Sequence, residues 1–254
     1  MIIIKTPDEI ELMRHADRIV AEVLNALREM IRPGITTADM EAEAEKRLEK
    51  AGAKSAFKGY PGAHGPFPSV LCASINDEVV HGIPSPKRVV EEGDIVSLDF
   101  GAIYKGYCGD AAITVGVGKV SSEAKKLMQV TEEALMKAIE QVKPGNRLHM
   151  IGKAVQGHVE ANGFSVVRQF VGHGIGSKMH EDPQIPNFVD PSAPRPRLKK
   201  GMVLAIEPMV NLGHWAVRVL DDGWTAVTSD GSLSAHFEHS IAIGPNGPDV
   251  LSKI

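Results

Sequence analysis

Two aspartates, Asp99 and Asp110, stand in the stretch SLDFGAIYKGYCGDAA (residues 97–112), which otherwise reads as buried strand. Aspartate is depleted from strands and is seldom fully buried without a partner. Residues 96–103 and 107–115 are rich in apolar and aromatic side chains, and Lys105-Gly106 between them suits a two-residue hairpin turn. That turn sets Tyr104 opposite Tyr107, Gly101 opposite Asp110 and Asp99 opposite Ala112. The two acids are then diagonal neighbours on one face, roughly 7–8 Å apart at Cβ, near enough for their carboxylates to converge. Carboxylates held together repel and burial adds to the cost, so a bound cation or a shared proton is needed to settle them. The plain alternative is a solvent-exposed sheet face on which neither acid does anything, and these residues alone leave both readings open.

Other groups have similar chemistry. His173 and His180 lie in FVGHGIGSKMHEDP (170–183). Its glycines lack the Gly-Lys-Ser/Thr ending of a phosphate loop, and its histidines do not form the His-Glu-x-x-His pattern of a zinc protease. The apolar run before His173 predicts a strand end, which makes His173 a candidate metal ligand with His180 in support. In LSAHFEHSIAI (233–243) an alternating strand puts Glu238 on one face with His236 and Ser240. Glu207 precedes Pro208, which biases it to an extended conformation at a strand end. His81 stands before Gly82, where a turn histidine is the simpler alternative; His15, His149 and His158 fall on predicted helices and receive no role. Two aspartates, two glutamates and one histidine suit Mn, Co, Zn or Fe, and several carboxylates at one spot fit two bridged ions that activate a water. A Mg-dependent phosphoryl-transfer enzyme and a non-catalytic fold are the competing readings.

Elements must bring these distant residues together. Thr6-Pro7-Asp8-Glu9 is a capping box that opens a helix, with apolar residues at Met13, Ala16, Val20, Val23, Leu24, Leu27 and Ile31. A second helix is expected over 37–50, stopping at Gly52. The pattern returns in SSEAKKLMQVTEEALMKAIEQVKPG and in residues 148–161. Pro33-Gly34 recurs as Pro144-Gly145 and Gly52 as Gly163, each displaced by 111 positions; VEEGDIVSLD (90–99) resembles LKKGMVLAIE (198–207), displaced by 108. The reading is a single catalytic domain over 1–254 made of two similar halves, about 6–115 and 121–243. Asp99 and Glu207 end equivalent strands, so a pseudo-two-fold axis would bring them face to face.

The bulk properties narrow the partners. Hydrophobic content of 43% and charged content of 24% are those of a globular protein, and a net charge of −4 argues against DNA as a partner. Cys72 and Cys108 cannot form a disulfide framework, which fits a reducing compartment. The opening MIIIKTPDEIELMRHADR turns polar too soon for a signal peptide and no apolar run is long enough to span a bilayer, so a cytoplasmic location without membrane contact is expected. Prolines keep PSAPRPRLKK (191–200) irregular, with Arg195, Arg197, Lys199 and Lys200 in water; a transient contact with ribosomal RNA is the functional alternative there.

Asp99 in LDFGAIYKGYCGD, Asp110, His173 in VGHGIG, Glu207 in IEPM and Glu238 in FEHS resemble, in order, the five metal ligands of methionine aminopeptidases. NDEVVHGIP, HEDPQIPN, GMVLAIEPMV and DDGWTAVTSDGSLSAHFEHS resemble the type I form. The chain is similar to the short bacterial version of that form, since no cysteine/histidine-rich extension precedes the first helix and no large helical insertion lies between His180 and Glu207. The resemblance implies an α+β pita-bread fold, an antiparallel sheet covered by two helix pairs with a pseudo-two-fold axis. It implies two divalent ions (Co, Mn, Fe or Zn), with Asp110 and Glu238 bridging them, Asp99 completing one and His173 and Glu207 the other. It further implies attack of a metal-bridging hydroxide on the first peptide bond, with Glu207 as proton shuttle, His180 at the carbonyl oxygen and His81 at the scissile nitrogen. Tyr60, Phe67, Cys72, Met179 and Trp224 would line the methionine pocket. Expected substrates are peptides or nascent chains whose initial methionine precedes a small residue, and a monomer is expected. KGYPGAHGPFPS is longer and richer in proline and glycine than its usual counterpart, so the 58–68 loop is where this chain departs from the family. Proline-specific aminopeptidases share the ligand set but usually carry an additional N-terminal domain; non-catalytic relatives have lost ligands that this sequence keeps.

Overall fold

The protein's computed structural model describes residues 1–253. Helix α1 (Pro7–Met30) starts where Thr6 and Glu9 close the expected capping box: the Glu9 N–H donates to Thr6 Oγ1 at 3.3 Å and the Thr6 N–H donates to the Glu9 carboxylate at 2.7 Å. Helix α2 (Thr37–Lys50) repeats the device with Thr36 and Asp39. Helix α3 (Ser122–Ile139) is capped by the Ser121 hydroxyl, whereas α4 (His149–Ala161) begins without a side-chain cap.

The hairpin has the register that its turn dictates. Strands Ile95–Tyr104 and Tyr107–Gly116 pair with Tyr104 opposite Tyr107, Gly101 opposite Asp110 and Asp99 opposite Ala112. Lys105 (φ 47°) and Gly106 (φ 86°) both take positive φ, as a type I′ turn requires. This hairpin is part of a nine-stranded sheet. Beside Tyr107–Gly116 lies Glu238–Gly244, then Val203–Ile206, Gly172–Gly174 and Glu181–Ile185; Leu71–Ile75 pairs with Ile95–Tyr104. Each of these pairings is antiparallel.

Helix α1 packs on the hairpin and against α2, while α3 packs against α4 and the second half of the sheet. One continuous core joins both pairs, from Leu24, Leu27 and Phe100 through Leu127, Leu135 and Ile151 to Leu204 and Ile241. Gly109 lets α1 lie directly on the sheet, since a Cβ there would stand 2.5 Å from the Asp17 nitrogen. The fold is therefore the expected α+β arrangement, an antiparallel sheet with two helix pairs. Among the described residues, no helix is long and apolar enough to cross a membrane.

Positions matched by the sequence repeat have matching geometry. Gly34 and Gly145 both sit at φ 91°. The Gly34 N–H donates to the Val90 carbonyl at 2.8 Å and the Gly145 N–H to the Leu198 carbonyl at 2.9 Å. Isolated bridges join Thr36 to Val89 and Arg147 to Arg197.

One segment differs from expectation. Residues 233–243 form two strands: Ser234–His236 pairs with Met209–Asn211 in a small sheet, and Glu238–Gly244 belongs to the large one. The Thr114 hydroxyl takes over the backbone pairing at the break, accepting from the His236 N–H at 2.9 Å and donating to the His236 carbonyl at 2.8 Å. Glu238 therefore opens a strand instead of standing inside one. In the 191–200 loop all four basic residues are exposed, as expected, and the Arg197 guanidinium also donates to the Gly145 carbonyl at 2.9 Å and so helps to hold the loop.

Candidate active site

Sheet register puts four of the five candidate ligands on one face, and the fifth, Glu207, follows directly from a strand of that sheet. Cys72 lies opposite Asp99, Asp99 opposite Ala112, and Ala112 opposite Glu238, so four strands contribute one row. Directly opposed residues share a face, as do residues two apart on a strand. Asp110, two before Ala112, therefore joins Asp99 and Glu238. Ser240, two after Glu238, is opposite Ala205, and Ala205 is opposite His173. Glu207 follows Ala205 by two, just past the end of its strand at Ile206. The alanines at 112 and 205 leave room between the larger polar groups.

The side chains converge as the register implies. His173 Nε2 lies 3.7 Å from Asp110 Oδ2 and 3.5 Å from Glu207 Oε1. Asp110, His173 and Glu238 each offer one donor atom within 4.8 Å of the others, a spacing that could hold a metal ion. His173 Nδ1 donates to the Gly174 carbonyl at 3.0 Å, which leaves the Nε2 lone pair turned toward the acids.

Electrostatics make this arrangement costly without a cation. Burial raises Asp99 to about 7. Burial, with repulsion from neighbouring carboxylates, holds Asp110, Glu207 and Glu238 well above the usual carboxylate range. Burial also drives His173 down to about 3, so the ring is neutral. Asp99 Oδ1, Asp110 Oδ1 and Glu238 Oε1 are buried with no hydrogen-bond partner among the described residues. Orphaned carboxylate oxygens around a neutral imidazole are the donor set a divalent metal takes.

All of the site residues expected from the sequence line one cavity of about 130 Å³. At its acidic end stand Asp99, Asp110, His173, Glu207 and Glu238; Tyr60, Phe67, Cys72, His81, Met179, His180 and Trp224 form the remainder, together with Phe57. Phe67 and Trp224 meet edge to face at 5.1 Å, and His81 stands edge-on to Phe170 at 5.4 Å. His81 has φ 62°, so it is a turn histidine by backbone as well as part of the cavity wall. Burial lowers it to about 4, and burial keeps the Cys72 thiol protonated. The Tyr60 hydroxyl lies 2.7 Å from His180 Nδ1.

Several supporting groups escape a reading of the sequence. Phe57 lines the cavity beside Tyr60. Asp17, fully buried on α1, accepts from the Asp110 N–H at 3.1 Å. Its signal is an acid on the apolar stripe of the helix, between Met13 and Val20. Lys5 and Glu181 form a buried ion pair of 2.6 Å that anchors the residue after His180. Nothing in the pattern marks Lys5, since only the folded chain brings it to Glu181. His236 is buried behind Glu207, its Nε2 3.8 Å from Oε2. Another cleft, about 410 Å³ on the helix side of the sheet, is lined by Arg28, Gln129 and Glu132 and holds no such cluster of ligands among the described residues.

Comparison with known proteins gives the same picture. The model of metallopeptidase family M24 matches residues 11–245. The chain is 54% identical to the methionine aminopeptidase of Clostridium perfringens and 52% identical to methionine aminopeptidase 1 of Bacillus subtilis, over the full length of each pair. The crystal structure of the Thermotoga maritima methionine aminopeptidase superposes with a TM-score of 0.95 at 50% identity, covering all of both chains. A prolidase from Pyrococcus horikoshii shares the fold more distantly, with a TM-score of 0.79 and 26% identity over 63% of its length. The chain belongs to metallopeptidase family M24 and, within it, to the methionine aminopeptidases.

Proposed function

We propose that the enzyme removes the N-terminal methionine from peptides and nascent chains whose second residue is small, with two divalent ions held by Asp99, Asp110, His173, Glu207 and Glu238. The observation that carries this reading is the set of buried, unpartnered carboxylate oxygens at the end of an aromatic-lined cavity. Asp110 and Glu238 would serve both ions, Asp99 one of them, and His173 with Glu207 the other. Bound ions would supply Lewis-acid polarisation of the first carbonyl and a lowered pKa for water.

The protein's own groups do the rest. Methionine's flexible thioether suits a wall of Phe67, Trp224, Met179 and the Cys72 thiol. With the Tyr60 hydroxyl donating to His180 Nδ1, the His180 Nε2–H is left to donate to the carbonyl oxygen as negative charge develops there. His81 would contact the scissile nitrogen. Glu207 would take a proton from the attacking water and deliver it to that nitrogen as the C–N bond breaks, giving free methionine and a shortened peptide. The matched turns at Gly34 and Gly145 support descent of the two halves from one duplicated unit.

Turnover of a short peptide series tests the reading. Met-Ala and Met-Gly peptides should be cleaved best, Met-Lys and Met-Phe poorly because a large second residue crowds the cavity mouth, and Xaa-Pro peptides not at all. Equal turnover of Met-Phe and Met-Ala would contradict the selectivity; preference for Xaa-Pro would favour the proline-specific branch.

A further inference from the structure

His236 has no part in the chemistry above, and its surroundings are unusual. The ring is 1% exposed, and neither Nδ1 nor Nε2 has a hydrogen-bond partner among the described residues. Buried polar groups almost always find a partner, so an orphaned imidazole calls for a reason. Two polar groups are near it, His81 and Glu207. Nε2 stands 3.8 Å from Glu207 Oε2, while the other oxygen, Oε1, is 3.5 Å from His173 Nε2. The carboxylate thus spans two imidazoles, one on the cavity wall and one behind it.

The backbone that carries His236 is held firmly. Thr114 clamps both its N–H and its carbonyl, and a further contact of 2.9 Å joins the Thr114 and Ser97 hydroxyls. His236 lies opposite Met209, two residues beyond Glu207, so paired segments carry the ring and the carboxylate. His236 is absent from the residues that line the cavity.

We propose that His236 is a positioning residue for Glu207: Nε2 faces Oε2 across 3.8 Å, and a small closure of that gap lets the ring N–H donate to Oε2 and fixes the carboxylate with Oε1 presented toward His173 and the metal position. The inference rests on the reading of Glu207 as a metal ligand. A hydrogen-bonded carboxylate keeps one orientation, whereas a free one would rotate and present either oxygen.

The test compares His236→Leu, which fills the space without a donor, with His236→Gln, which restores one. Co²⁺ added to chelated protein is the probe, read by its binding affinity and its visible absorption spectrum. Loss of an outer-shell partner costs metal sites about 10–100-fold in affinity, so His236→Leu should weaken Co²⁺ binding by that factor and alter the spectrum. It should also lower kcat on Met-Ala with little change in KM, and His236→Gln should recover most of both losses. In a Glu207→Gln background His236→Leu should have no further effect. If the leucine variant fails to fold, His236→Met, flexible enough to fill the same space, takes its place. Wild-type Co²⁺ affinity and spectrum in the donorless variant would overturn the proposal, as would equal losses in the leucine and glutamine variants, which would assign the ring to packing. Wild-type protein that takes up no Co²⁺ would overturn the metal reading itself, and the proposal with it.

Discussion

The proposed function gives Glu207 two roles at once, as metal ligand and as base. Burial and the charge of Asp99 hold it well above the usual carboxylate range when no cation offsets them. Replacing it with glutamine preserves shape and one oxygen but removes charge and basicity. Positioned acid–base groups contribute about 10²–10⁴-fold in rate, so kcat of Glu207→Gln should fall by that order with saturating metal present. KM for Met-Ala should change far less, because the proposed recognition of methionine is by the aromatic part of the cavity. A glutamine variant with full metal occupancy and near-normal kcat would assign the proton transfer to another group. The acids are legible as residues because they violate strand composition, and Asp17 leaves a weaker mark as an acid on the apolar stripe of α1; His236 leaves none, since it becomes unusual only when its burial is known.

At the scale of elements, the hairpin is readable because a two-residue turn fixes register, and register fixes every facing pair. The break at Phe237 is not, because a threonine hydroxyl in another strand replaces the expected backbone partner. Tertiary contacts also secure the segment that carries Met179 and His180. Lys5 and Glu181 are each 3% exposed at the side chain, so Lys5→Met leaves an unpaired buried carboxylate. Breaking such a pair from one side costs about 3–5 kcal/mol, which chemical denaturation should report; a loss within error would contradict the role given to the pair. A second device joins two loops at the surface. Asp230 accepts from the Ser232 hydroxyl at 2.6 Å, from the His214 N–H at 2.6 Å and from the Ser232 N–H at 3.0 Å. These bonds, the Ser232 hydroxyl foremost, lower its pKa to about 2. A lowered acid stabilises the fold above its unfolded value of about 3.9 and loses that contribution as pH falls toward 2. A carboxylate NMR titration of Asp230 with its midpoint near 4 would contradict the assignment.

For the whole molecule, the repeat is visible in sequence because turn glycines cannot drift: Gly34 and Gly145 take the same positive φ, which side-chain-bearing residues rarely adopt. What the sequence could not supply is the path by which residues from 60 to 238 reach one cavity, since that depends on strand order across the sheet. The order found draws a neutral histidine and a set of mutually repelling acids into one buried cluster, and this arrangement makes sense with cations bound. Metal binding to the folded state should also raise thermal stability by mass action. The most direct measurement is methionine release from a Met-Ala peptide by exhaustively chelated protein, with metal content followed by elemental analysis during stepwise return of Co²⁺ or Mn²⁺. The account predicts no release from metal-free protein and recovery that saturates as the cluster fills, with the melting temperature rising in parallel. Full activity in protein shown by elemental analysis to hold no metal would contradict it.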